Sequence, residues 1–534
     1  MNDLLFFNGD ILTLEYPLYT EAIWIKNGRI QKLGAKETLL KEIDQTTTQI
    51  DLQGKTLMPA FIDAHSHFSG YASNLLQVNV ENATNFQEIA DAIKTFIKEK
   101  AVPEGKWILA EGYDQNNLLE KAHPTKELLD LAAPLNPVAL RQQSEHMGVF
   151  NSLALKALNI TPDTPNPSGG LIAKKDGQLT GYLEENAFIH YIQEVPMPST
   201  EELTKAFIDA QASYSSYGIT TMQEGMIVDT LVDLLQMLQR TKLLKLDLIG
   251  FIDISHRKDL LMDFKDCIKK YDHHLKIGGY KIFLDGSPQS RTAWMLNPYK
   301  DSTDKGYPTH TDEEVEELAE IAITDHMQLL AHCNGDAATK QYITAFGKAT
   351  DKLKPDYSIR PVLIHAQFLP EVQLDDVKKL SMIPSFFLAH VYHWGDTHIK
   401  NFGFERASKI SLAASALKKN ILFTLHQDSP VIEPDMLETI WCAVNRITKS
   451  GVVLGVEERI SPLEAIKAVT INAAYQYFEE NEKGSLKEGK LADLIILDQN
   501  PLKVDPMDIK DIKVLETFKE GESIFLHPTQ KPLS

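Results

Sequence analysis

The 534-residue chain contains only three cysteines, Cys267, Cys333 and Cys442, and they lie far apart in the sequence. An odd and sparse set provides neither a disulfide framework nor the CxxC pairs of a structural zinc site. Long hydrophobic runs are also missing, since none approaches the ~20 residues of a membrane-spanning helix. The first residues, MNDLLFFNGDILTLE, lack the basic and apolar regions of a signal peptide. These absences predict a soluble, cytoplasmic protein.

Positive charge is scarce as well. The chain has 54 Lys and Arg against 74 Asp and Glu, which gives a formal net charge of −20. Such an acidic surface disfavours nucleic acids and anionic membranes as partners. With 43% hydrophobic and 24% charged residues, the composition is that of an ordinary globular protein. We therefore expect no nucleic-acid partner and no membrane partner.

Both ends of the chain are rich in short strand patterns. Residues 4–14 (LLFFNGDILTL) predict strand, turn and strand with the turn at Asn8-Gly9-Asp10, and residues 22–34 predict a hairpin around Asn27-Gly28. Near the other end, residues 487–501 and 512–526 alternate apolar strands with glycine turns. Chain termini often lie close together, so these segments predict one small β-sandwich domain built from both termini.

Between the ends, apolar strand patterns alternate with helical patterns. The repetition predicts an α/β fold, a (β/α)₈ TIM-like barrel, and the absence of a Gly-rich dinucleotide fingerprint after the first strand disfavours the open doubly wound sheet. Residues 313–326 and 408–419 are clear amphipathic helices. The eight predicted strand segments are 56–67, 218–225, 244–254, 274–287, 328–336, 360–367, 379–387 and 420–428.

One long interval interrupts this alternation between the first and second strands. It holds its own helices and strands, so it predicts an inserted α/β subdomain. The expected organisation, in chain order, is the N-terminal part of the sandwich at 1–56, the first barrel strand and loop at 57–79, the inserted subdomain at 80–205, the rest of the barrel at 206–480 and the C-terminal part of the sandwich at 481–534.

Candidate metal ligands follow several of these strands. His65 and His67 are two residues apart, which places both imidazoles on one face of a strand. His332, His365 and Asp428 each lie where another apolar run ends. In a barrel, the carboxyl ends of the strands form the mouth of the active site, and imidazole and carboxylate are ligands for Zn²⁺ and similar ions. The pattern predicts a shared metal site at that mouth.

Lys281 lies inside another apolar strand segment. An unpaired ammonium there is costly, and burial lowers the pKa of a lysine so that the neutral amine is favoured. A neutral amine can add carbon dioxide to form a carbamate, which can bridge two metal ions. The alternative is a buried lysine paired with Asp285 or another carboxylate, and the residues alone leave both interpretations open.

Taken in order, these motifs resemble amidohydrolase family 3 of the metal-dependent amidohydrolase superfamily, which includes the N-substituted formamide deformylases. The motifs are MPAFIDAHSH at 58–67, KIFLDGS followed by SRTA at 281–293, AHCNGDAA at 331–338, IHAQ at 364–367, HQDSPV at 426–431 and GSLKEGKLADLIILDQNP at 484–501. The resemblance covers nearly the whole chain. It implies the barrel with a terminal β-sandwich, one or two divalent metal ions and a homodimer.

The resemblance also implies roles for individual residues. His65 and His67 bind the buried metal, Lys281 is the carboxylated bridge, and His332 and His365 bind the second metal. Asp428 is both a ligand and the catalytic proton shuttle. Histidine-rich ligation favours zinc.

The chain departs from the family pattern around these ligands. Relatives typically have the sequence DGSLGSRTA, whereas this chain has Pro288 and Gln289 at the fourth and fifth positions of that motif. Ile364 stands where relatives often have a carboxylate. His426 and Gln427 replace the usual small residues before the aspartate. The ligands are kept but the pocket lining is altered, which leaves the substrate open.

Further residues are candidates for binding the substrate. The planar guanidinium group of Arg291 is suited to bind an anionic or carbonyl group of the substrate. The alternative is that Arg291 forms a structural ion pair. His146 lies in a segment that resembles the one through which the family's inserted domain reaches the site. His393 and Trp394 follow the seventh strand, where a loop is expected to line the mouth. Glu224 lies at the end of the second strand. We expect it either to lie near the metal site or to pair with a cationic side chain at the opposite end of the barrel.

The function expected from the sequence is metal-dependent hydrolysis of a C–N bond of a small molecule, of amide, N-acyl or N-formyl type, by metal-activated hydroxide. Asp428 acts first as general base and then as general acid. One alternative is deamination of a ring or amidine carbon at the same metal site. The other is a catalytically idle metal-binding barrel, which the intact ligand set disfavours.

Overall fold

The computed structural model describes residues 3–144 and 146–529. Two compact units divide this part of the chain, one holding the residues up to Ser69 and from Ala210 onward, and the other Gly70–Asp209. The five-segment organisation expected from the sequence is finer than this division and stays a prediction. No helix in the described ranges has the length and apolar character needed to cross a bilayer.

A parallel sheet of eight strands, here called the central sheet, lies in the larger unit. Each strand pairs with the next in chain order, so the structure confirms a mixed α/β fold with a parallel sheet. The apolar faces of these strands bury Ile62, Phe251, Leu330 and Val362 in one core. The strands are Phe61–Ile62, Ile219–Ile227, Asp247–Asp253, Leu275–Phe283, Gln328–Cys333, Val362–His365, Ile383–Phe386 and Thr424–Leu425.

The first expected strand, at 56–67, is divided between two sheets. Thr56–Pro59 belongs to a sheet formed by the chain ends, and only Phe61–Ile62 joins the central sheet. At the far edge, the eighth strand is equally short. Beyond the two short strands, the Asp428 N–H donates to the His65 carbonyl over 3.2 Å, and the His67 N–H donates to the Ser429 carbonyl over 2.7 Å. Closure of the sheet into a barrel stays a prediction.

Both ends of the chain build a second eight-stranded sheet, the terminal sheet. Thr56–Pro59 pairs antiparallel with Leu494–Leu497, which joins the N-terminal strands to the C-terminal ones. Phe6, Ile23 and Leu57 pack with Ile496 in its core. Its strands are Leu4–Leu12, Tyr19–Lys26, Arg29–Gly34, Thr48–Asp51, Thr56–Pro59, Leu494–Leu497, Val514–Lys519 and Glu522–Leu526. The division of this sheet into a sandwich stays a prediction.

One of the two N-terminal hairpin predictions is wrong. The Asn27-Gly28 turn joins two antiparallel strands as expected, with positive φ at both residues. In contrast, residues 4–12 form one strand whose register shifts between Phe7 and Ile11. Gly9 is required there for close approach, because an added Cβ would lie 2.4 Å from the Lys55 carbonyl oxygen. The glycine therefore serves packing against a neighbouring loop and does not form a turn.

Helices connect most strands of the larger unit. The helix Asp312–Thr324 begins with a capping box, in which the Thr311 side chain accepts from the Glu314 N–H and the Glu314 carboxylate accepts from the Thr311 N–H. The unit's α-helices are Lys36–Glu42, Asp229–Arg240, Ile254–Arg257, Asp312–Thr324, Asp336–Leu353, Leu374–Lys379, His390–Phe402, Phe404–Ala407, Ala413–Lys418, Met436–Asn445, Pro462–Ala468 and Ile471–Gln476. Its 3₁₀ helices are Lys258–Cys267, Glu371–Gln373, Val456–Glu458 and Pro506–Asp511.

The smaller unit has its own mixed sheet of six strands. In spatial order these are Gly170–Lys175, Gln178–Glu185, Met147–Phe150, Val138–Gln142, Ile108–Tyr113 and Gln77–Asn79. Ile89, Ile93 and Leu129 of two helices pack on Ile108 and Val138 of the sheet. The helices of this unit, including two that cross its boundaries, are Phe68–Asn74, Phe86–Glu99, Lys126–Ala132, Ser152–Ala157, Asn186–Gln193 and Thr200–Ser216.

A buried ionic network lies where the central sheet meets the C-terminal strands. The Asp247 carboxylate pairs with the ammonium of Lys483 and, at 2.8 Å, with that of Lys519. Burial alone raises the pKa of Asp247, but the two lysines hold it well below its usual range. Lys519 also pairs with Asp493 at 2.9 Å.

We expect Asp247→Asn to lower the free energy of unfolding of the larger unit by about 3 kcal/mol, because it leaves buried ammonium groups short of a counter-charge. The measurement is the urea midpoint of unfolding. Asp44→Asn is the matched control, since Asp44 is exposed and pairs with Lys26 at 3.0 Å, and the loss of such a pair is expected to cost less than about 1 kcal/mol. Equal shifts for the two variants would contradict the structural role given to Asp247.

Candidate metal centre

The carboxyl ends of five strands of the central sheet carry the candidate ligands. His65 and His67 follow the first strand, and Asp428 follows the eighth. Lys281, His332 and His365 lie within the fourth, fifth and sixth strands, each in its C-terminal half. Parallel strands in register bring these positions to one end of the sheet, as the sequence pattern predicts.

Three of these residues form a compact group. One ligand atom from each of His65, His365 and Asp428 lies within 4.8 Å of the other two. His65 Nε2 is 3.4 Å from Asp428 Oδ1, and His365 Nε2 is 3.6 Å from Asp428 Oδ2. All three side chains are buried. The Asp428 carboxylate therefore faces two imidazole nitrogens, one from the residue that follows the first strand by three positions and one from the sixth strand.

His67 and His332 flank this group. His67 Nε2 lies 3.7 Å from Asp428 Oδ1, and the rings of His332 and His365 are 4.7 Å apart. Burial lowers the pKa of His67 to about 3, and a neutral imidazole is the form that binds a metal. All five predicted His and Asp ligands thus converge on one region.

Lys281 lies in the same group. It is fully buried, and its Nζ is 3.2 Å from His65 Nε2. Burial lowers the pKa of Lys281 to about 7, although the nearby Asp428 carboxylate opposes this shift. In the described ranges no ion pair joins Lys281 to Asp285. The Asp285 carboxylate instead accepts backbone N–H groups from Trp294, Asn334 and Gly335.

The Asp428 carboxyl group is electrostatically unusual. Burial raises its pKa to about 7; the Lys281 ammonium acts in the opposite direction and the Asp63 carboxylate in the same direction. Its Oδ1 atom is buried and accepts no hydrogen bond from the described residues. Burial of an anionic oxygen without a hydrogen-bond donor is unfavourable in free energy. A bound cation, or a proton on this oxygen, would remove that cost.

The donor set fits a divalent metal ion. His65 Nδ1 lies 2.6 Å from Gln223 Oε1, so Nδ1 carries the proton and Nε2 offers a lone pair to the Asp428 side. His332 Nδ1 is buried, makes no hydrogen bond among the described residues and lies 3.3 Å from Asp285 Oδ1. Neutral imidazoles with a carboxylate are a ligand set suited to zinc.

Residues behind the ligands were not found by sequence reasoning. Gln223 orients His65, and its Nε2 donates to the Ala64 carbonyl and the Tyr477 hydroxyl. His426 lies between Ser385 Oγ at 2.9 Å and His365 Nδ1 at 3.1 Å. Both Gln223 and Ser385 are polar side chains on buried strands; the strand of Ser385 is otherwise apolar, but the strand of Gln223 also holds two threonines and a glutamate, so its sequence provides little signal.

We expect Gln223→Leu to weaken metal binding about 10- to 100-fold, because His65 then loses the acceptor that fixes its tautomer. Gln223→Glu keeps that acceptor but loses the donor to the Ala64 carbonyl, so it is expected to retain more of the affinity than Gln223→Leu. Competition with a chromophoric chelator measures both variants. Equal weakening in the two variants would show that Gln223 acts through packing and not through the His65 hydrogen bond.

The expected substrate residues of the larger unit have partners within the protein. Arg291 Nε donates to Asn401 Oδ1 over 3.1 Å. His393 Nε2 is 2.8 Å from Glu438 Oε1. The segment carrying His393 and Trp394 is the helix His390–Phe402, so the expectation of a loop there is wrong. Their roles in substrate binding stay predictions.

His146 and Glu224 complete the sequence candidates. His146 lies in the smaller unit, exposed and 3.2 Å from Glu185 Oε2, so its role at the site stays a prediction. Glu224 Oε1 is 4.0 Å from His67 Nδ1, which places it beside the ligands and not at the opposite end of the sheet. Burial raises the pKa of Glu224 to about 7, while hydrogen bonds from Ser69 oppose the shift.

The chain resembles known proteins over nearly its whole length. It is 29% identical to the protein LONG AFTER FAR-RED 3 of Arabidopsis thaliana, over 98% of this chain and 91% of that protein. It is 26% identical to the N-substituted formamide deformylase of Arthrobacter pascens, over 98% of both chains. Among solved structures, an uncharacterized metal-dependent hydrolase from Pyrococcus furiosus superposes with a TM-score of 0.75 at 26% identity, covering 94% of this chain and all of that one.

A family model decides the assignment. The model of the amidohydrolase family matches residues 48–525, which include every candidate ligand and the whole central sheet. This match confirms the resemblance inferred from the sequence motifs. The chain belongs to the amidohydrolase family.

Proposed function

We propose that this protein is a metal-dependent hydrolase that cleaves a C–N bond of amide, N-acyl or N-formyl type in a small molecule. The observation that carries the proposal is the convergence of His65, His365 and Asp428 from three strands onto one point. Family membership supports hydrolysis as the reaction class. The formamide deformylase of Arthrobacter pascens, similar over 98% of both chains, supports the bond type.

The proposed metal ligands are His65, His67, Lys281, His332, His365 and Asp428, holding one or two divalent ions, with zinc favoured by the histidines. When bound, such an ion lowers the pKa of a water molecule from about 15.7 to about 7 and polarises the substrate carbonyl. Gln223 and His426 hold two of the imidazoles in the orientation that this requires.

Asp428 is the proposed catalytic residue. A carboxyl group with a pKa near 7 is matched to proton transfer at neutral pH. The carboxylate takes a proton from the attacking water and then gives it to the leaving nitrogen as the C–N bond breaks. The amine and the acid are the products, and Asp428 returns to its carboxylate form.

Lys281 is proposed to carry a carbamate. Its buried amine has a depressed pKa, so an appreciable share is neutral near pH 7. The amine nitrogen bonds to the carbon of CO₂ and releases one proton, which gives an anionic group with two oxygens. Those oxygens would provide the charge that a second metal ion needs beside His332 and His365.

The architecture around the site is also a proposal. The backbone bonds from Asp428 to His65 and from His67 to Ser429 support closure of the central sheet into a (β/α)₈ barrel. We propose that Arg291, His393, Trp394 and His146 contact the substrate, that the terminal sheet forms a small sandwich, and that the chain is a homodimer in the cytoplasm.

The test is a panel of N-formyl and N-acyl amines offered to metal-assayed enzyme. We expect release of a free amine and an acid in equal amounts, lost on chelation and restored by Zn²⁺. Release of ammonia from ring or amidine substrates alone would point to a deaminase instead. Metal-loaded enzyme inactive toward both classes would favour an idle metal-binding protein.

A further inference from the structure

The second strand of the central sheet carries a buried carboxyl group beside the candidate ligands. Glu224 lies in the strand Ile219–Ile227, and its exposed fraction is 2%. The preceding residue, Gln223, orients His65 through the hydrogen bond to Nδ1. A buried carboxyl group is costly unless it serves a partner, and the proposed reaction makes no use of this one.

The Glu224 carboxyl group is held in one orientation. Its Oε2 atom accepts the Ser69 N–H over 2.8 Å and also accepts the Ser69 hydroxyl. The Met226 N–H acts on the same carboxyl group. With Oε2 engaged by Ser69, Oε1 is the oxygen that faces His67, and it lies 4.0 Å from Nδ1. The protein thus fixes a carboxyl oxygen beside one nitrogen of a candidate ligand.

Backbone contacts bring this part of the strand against the segment of the two histidines. The Gly225 N–H donates to the Ser66 carbonyl over 2.8 Å, and His67 forms an antiparallel bridge with Glu224. An added Cβ at Gly225 would lie 2.7 Å from His65 Cε1 and 3.0 Å from His67 Cε1. The register with the third strand also shifts directly after Glu224, and irregularities of this kind re-aim side chains beside active sites. The backbone therefore specifies the approach of Glu224 to His67.

The two nitrogens of the His67 ring have different surroundings. Nε2 lies 3.7 Å from Asp428 Oδ1, on the side of the candidate metal centre, and Nδ1 lies on the side of Glu224. A metal-binding histidine commonly donates its second ring N–H to a carboxylate, which fixes the tautomer. The 4.0 Å separation is longer than a direct hydrogen bond, so the Glu224 carboxylate acts on Nδ1 through charge or through one bridging water molecule.

We propose that Glu224 is a positioning residue that favours the His67 tautomer with the proton on Nδ1, and so leaves the lone pair of Nε2 for the metal ion. The proposal rests on the proposed metal centre, because it takes His67 as a ligand. Neighbouring residues of one strand then support the first two ligands, Gln223 for His65 and Glu224 for His67.

Glu224→Gln is expected to reverse the tautomer. The Ser69 N–H requires the glutamine oxygen as its acceptor, so the amide NH₂ group faces His67 and favours a lone pair on Nδ1. The measurement is a ¹⁵N NMR spectrum of the full chain, free of metal and labelled in its histidines, at pH 8, where imidazole groups are neutral. His67→Gln assigns the His67 signals. We expect the proton on Nδ1 in the natural protein and on Nε2 in Glu224→Gln.

Glu458→Gln is the matched control. Glu458 is 4% exposed, accepts the Ser415 N–H over 2.9 Å and the Ser415 hydroxyl, and contacts no candidate ligand in the described ranges. Competition with a chromophoric chelator measures Zn²⁺ binding. We expect about 10- to 100-fold weaker binding in Glu224→Gln and unchanged binding in Glu458→Gln.

Three results would overturn the role given to Glu224. They are a natural protein with the His67 proton on Nε2, the same His67 tautomer in the natural protein and in Glu224→Gln, and zinc affinities that fall equally in the two glutamine variants. A natural protein that binds no zinc would instead refute the proposed metal centre, and the His67 tautomer would still decide whether Glu224 acts on the ring.

Discussion

The Asp428→Asn variant is expected to lose about 10³- to 10⁴-fold in kcat while keeping its fold, because an amide cannot accept the proton of the attacking water. The substituted side chain would also present a neutral oxygen to the two imidazole nitrogens that lie 3.4 Å and 3.6 Å from the carboxylate. Steady-state kinetics on the best substrate of the amine panel measures the loss.

Asp435→Asn is the matched control for this change. Asp435 lies seven positions further along the chain and caps the helix Met436–Asn445 by accepting the N–H groups of Leu437 and Glu438. Asparagine caps a helix as well as aspartate does, so this variant is expected to keep normal activity and stability. An Asp428→Asn variant that retains a tenth or more of the activity would rule out proton transfer by Asp428.

Lys281→Ala is expected to lower metal content and activity together, with activity falling at least about 100-fold. The reason is that the proposed carbamate on Lys281 would supply two anionic oxygens to the metal site, and alanine supplies none. Elemental analysis of the purified variant and its kcat/KM provide the two readouts.

Recovery of activity on addition of a small carboxylate distinguishes the loss of a metal ligand from the loss of side-chain packing in Lys281→Ala. Propionate or bicarbonate added to Lys281→Ala is expected to restore part of the activity, because a free carboxylate can occupy the vacated space. The same anions are expected to leave Asp428→Asn inactive. Full metal content in Lys281→Ala, with only KM changed, would show that Lys281 is a free amine that orients the substrate.

The central sheet and the convergence of its candidate ligands were predictable because both leave local signals. Apolar runs separated by helix-length segments mark parallel strands, and a polar residue ending such a run marks the site end of the sheet. His332, His365 and Asp428 all follow this rule; His365 and Asp428 belong to the compact group, and the ring centroid of His332 lies 4.7 Å from that of His365. Lys281 was recognised because a lysine within an apolar strand is unusual.

Two features of the strands were not predictable because they depend on distant contacts. The Asn8-Gly9 pair has the composition of a turn, but Gly9 is required by the close approach of Lys55, in the loop before the strand Thr56–Pro59. The segment 56–67 reads as one strand, yet it changes partners between Pro59 and Phe61, from Leu494–Leu497 to Ile219–Ile227. Local patterns do not specify which strand will be the partner.

The residues that orient the candidate ligands, Gln223 and His426, are brought to them by tertiary contacts in the same way. Gln223 reaches His65 from a strand 158 positions further along the chain. His426 was noted as a departure from the family pattern, but its hydrogen bond to His365 emerges only when the sixth and eighth strands are placed together. Spacing in the sequence identifies ligands on strand ends and leaves such cross-strand partners hidden.

Anomalous diffraction at the zinc edge, from crystals of enzyme reconstituted with Zn²⁺, locates the bound metal. We expect a peak bonded to His65, His365 and Asp428, with Zn–N distances of about 2.0–2.1 Å. A second peak beside His332 is expected where Lys281 carries a carbamate. Zinc bound elsewhere, with His65, His365 and Asp428 unliganded in active enzyme, would rule out the proposed metal centre.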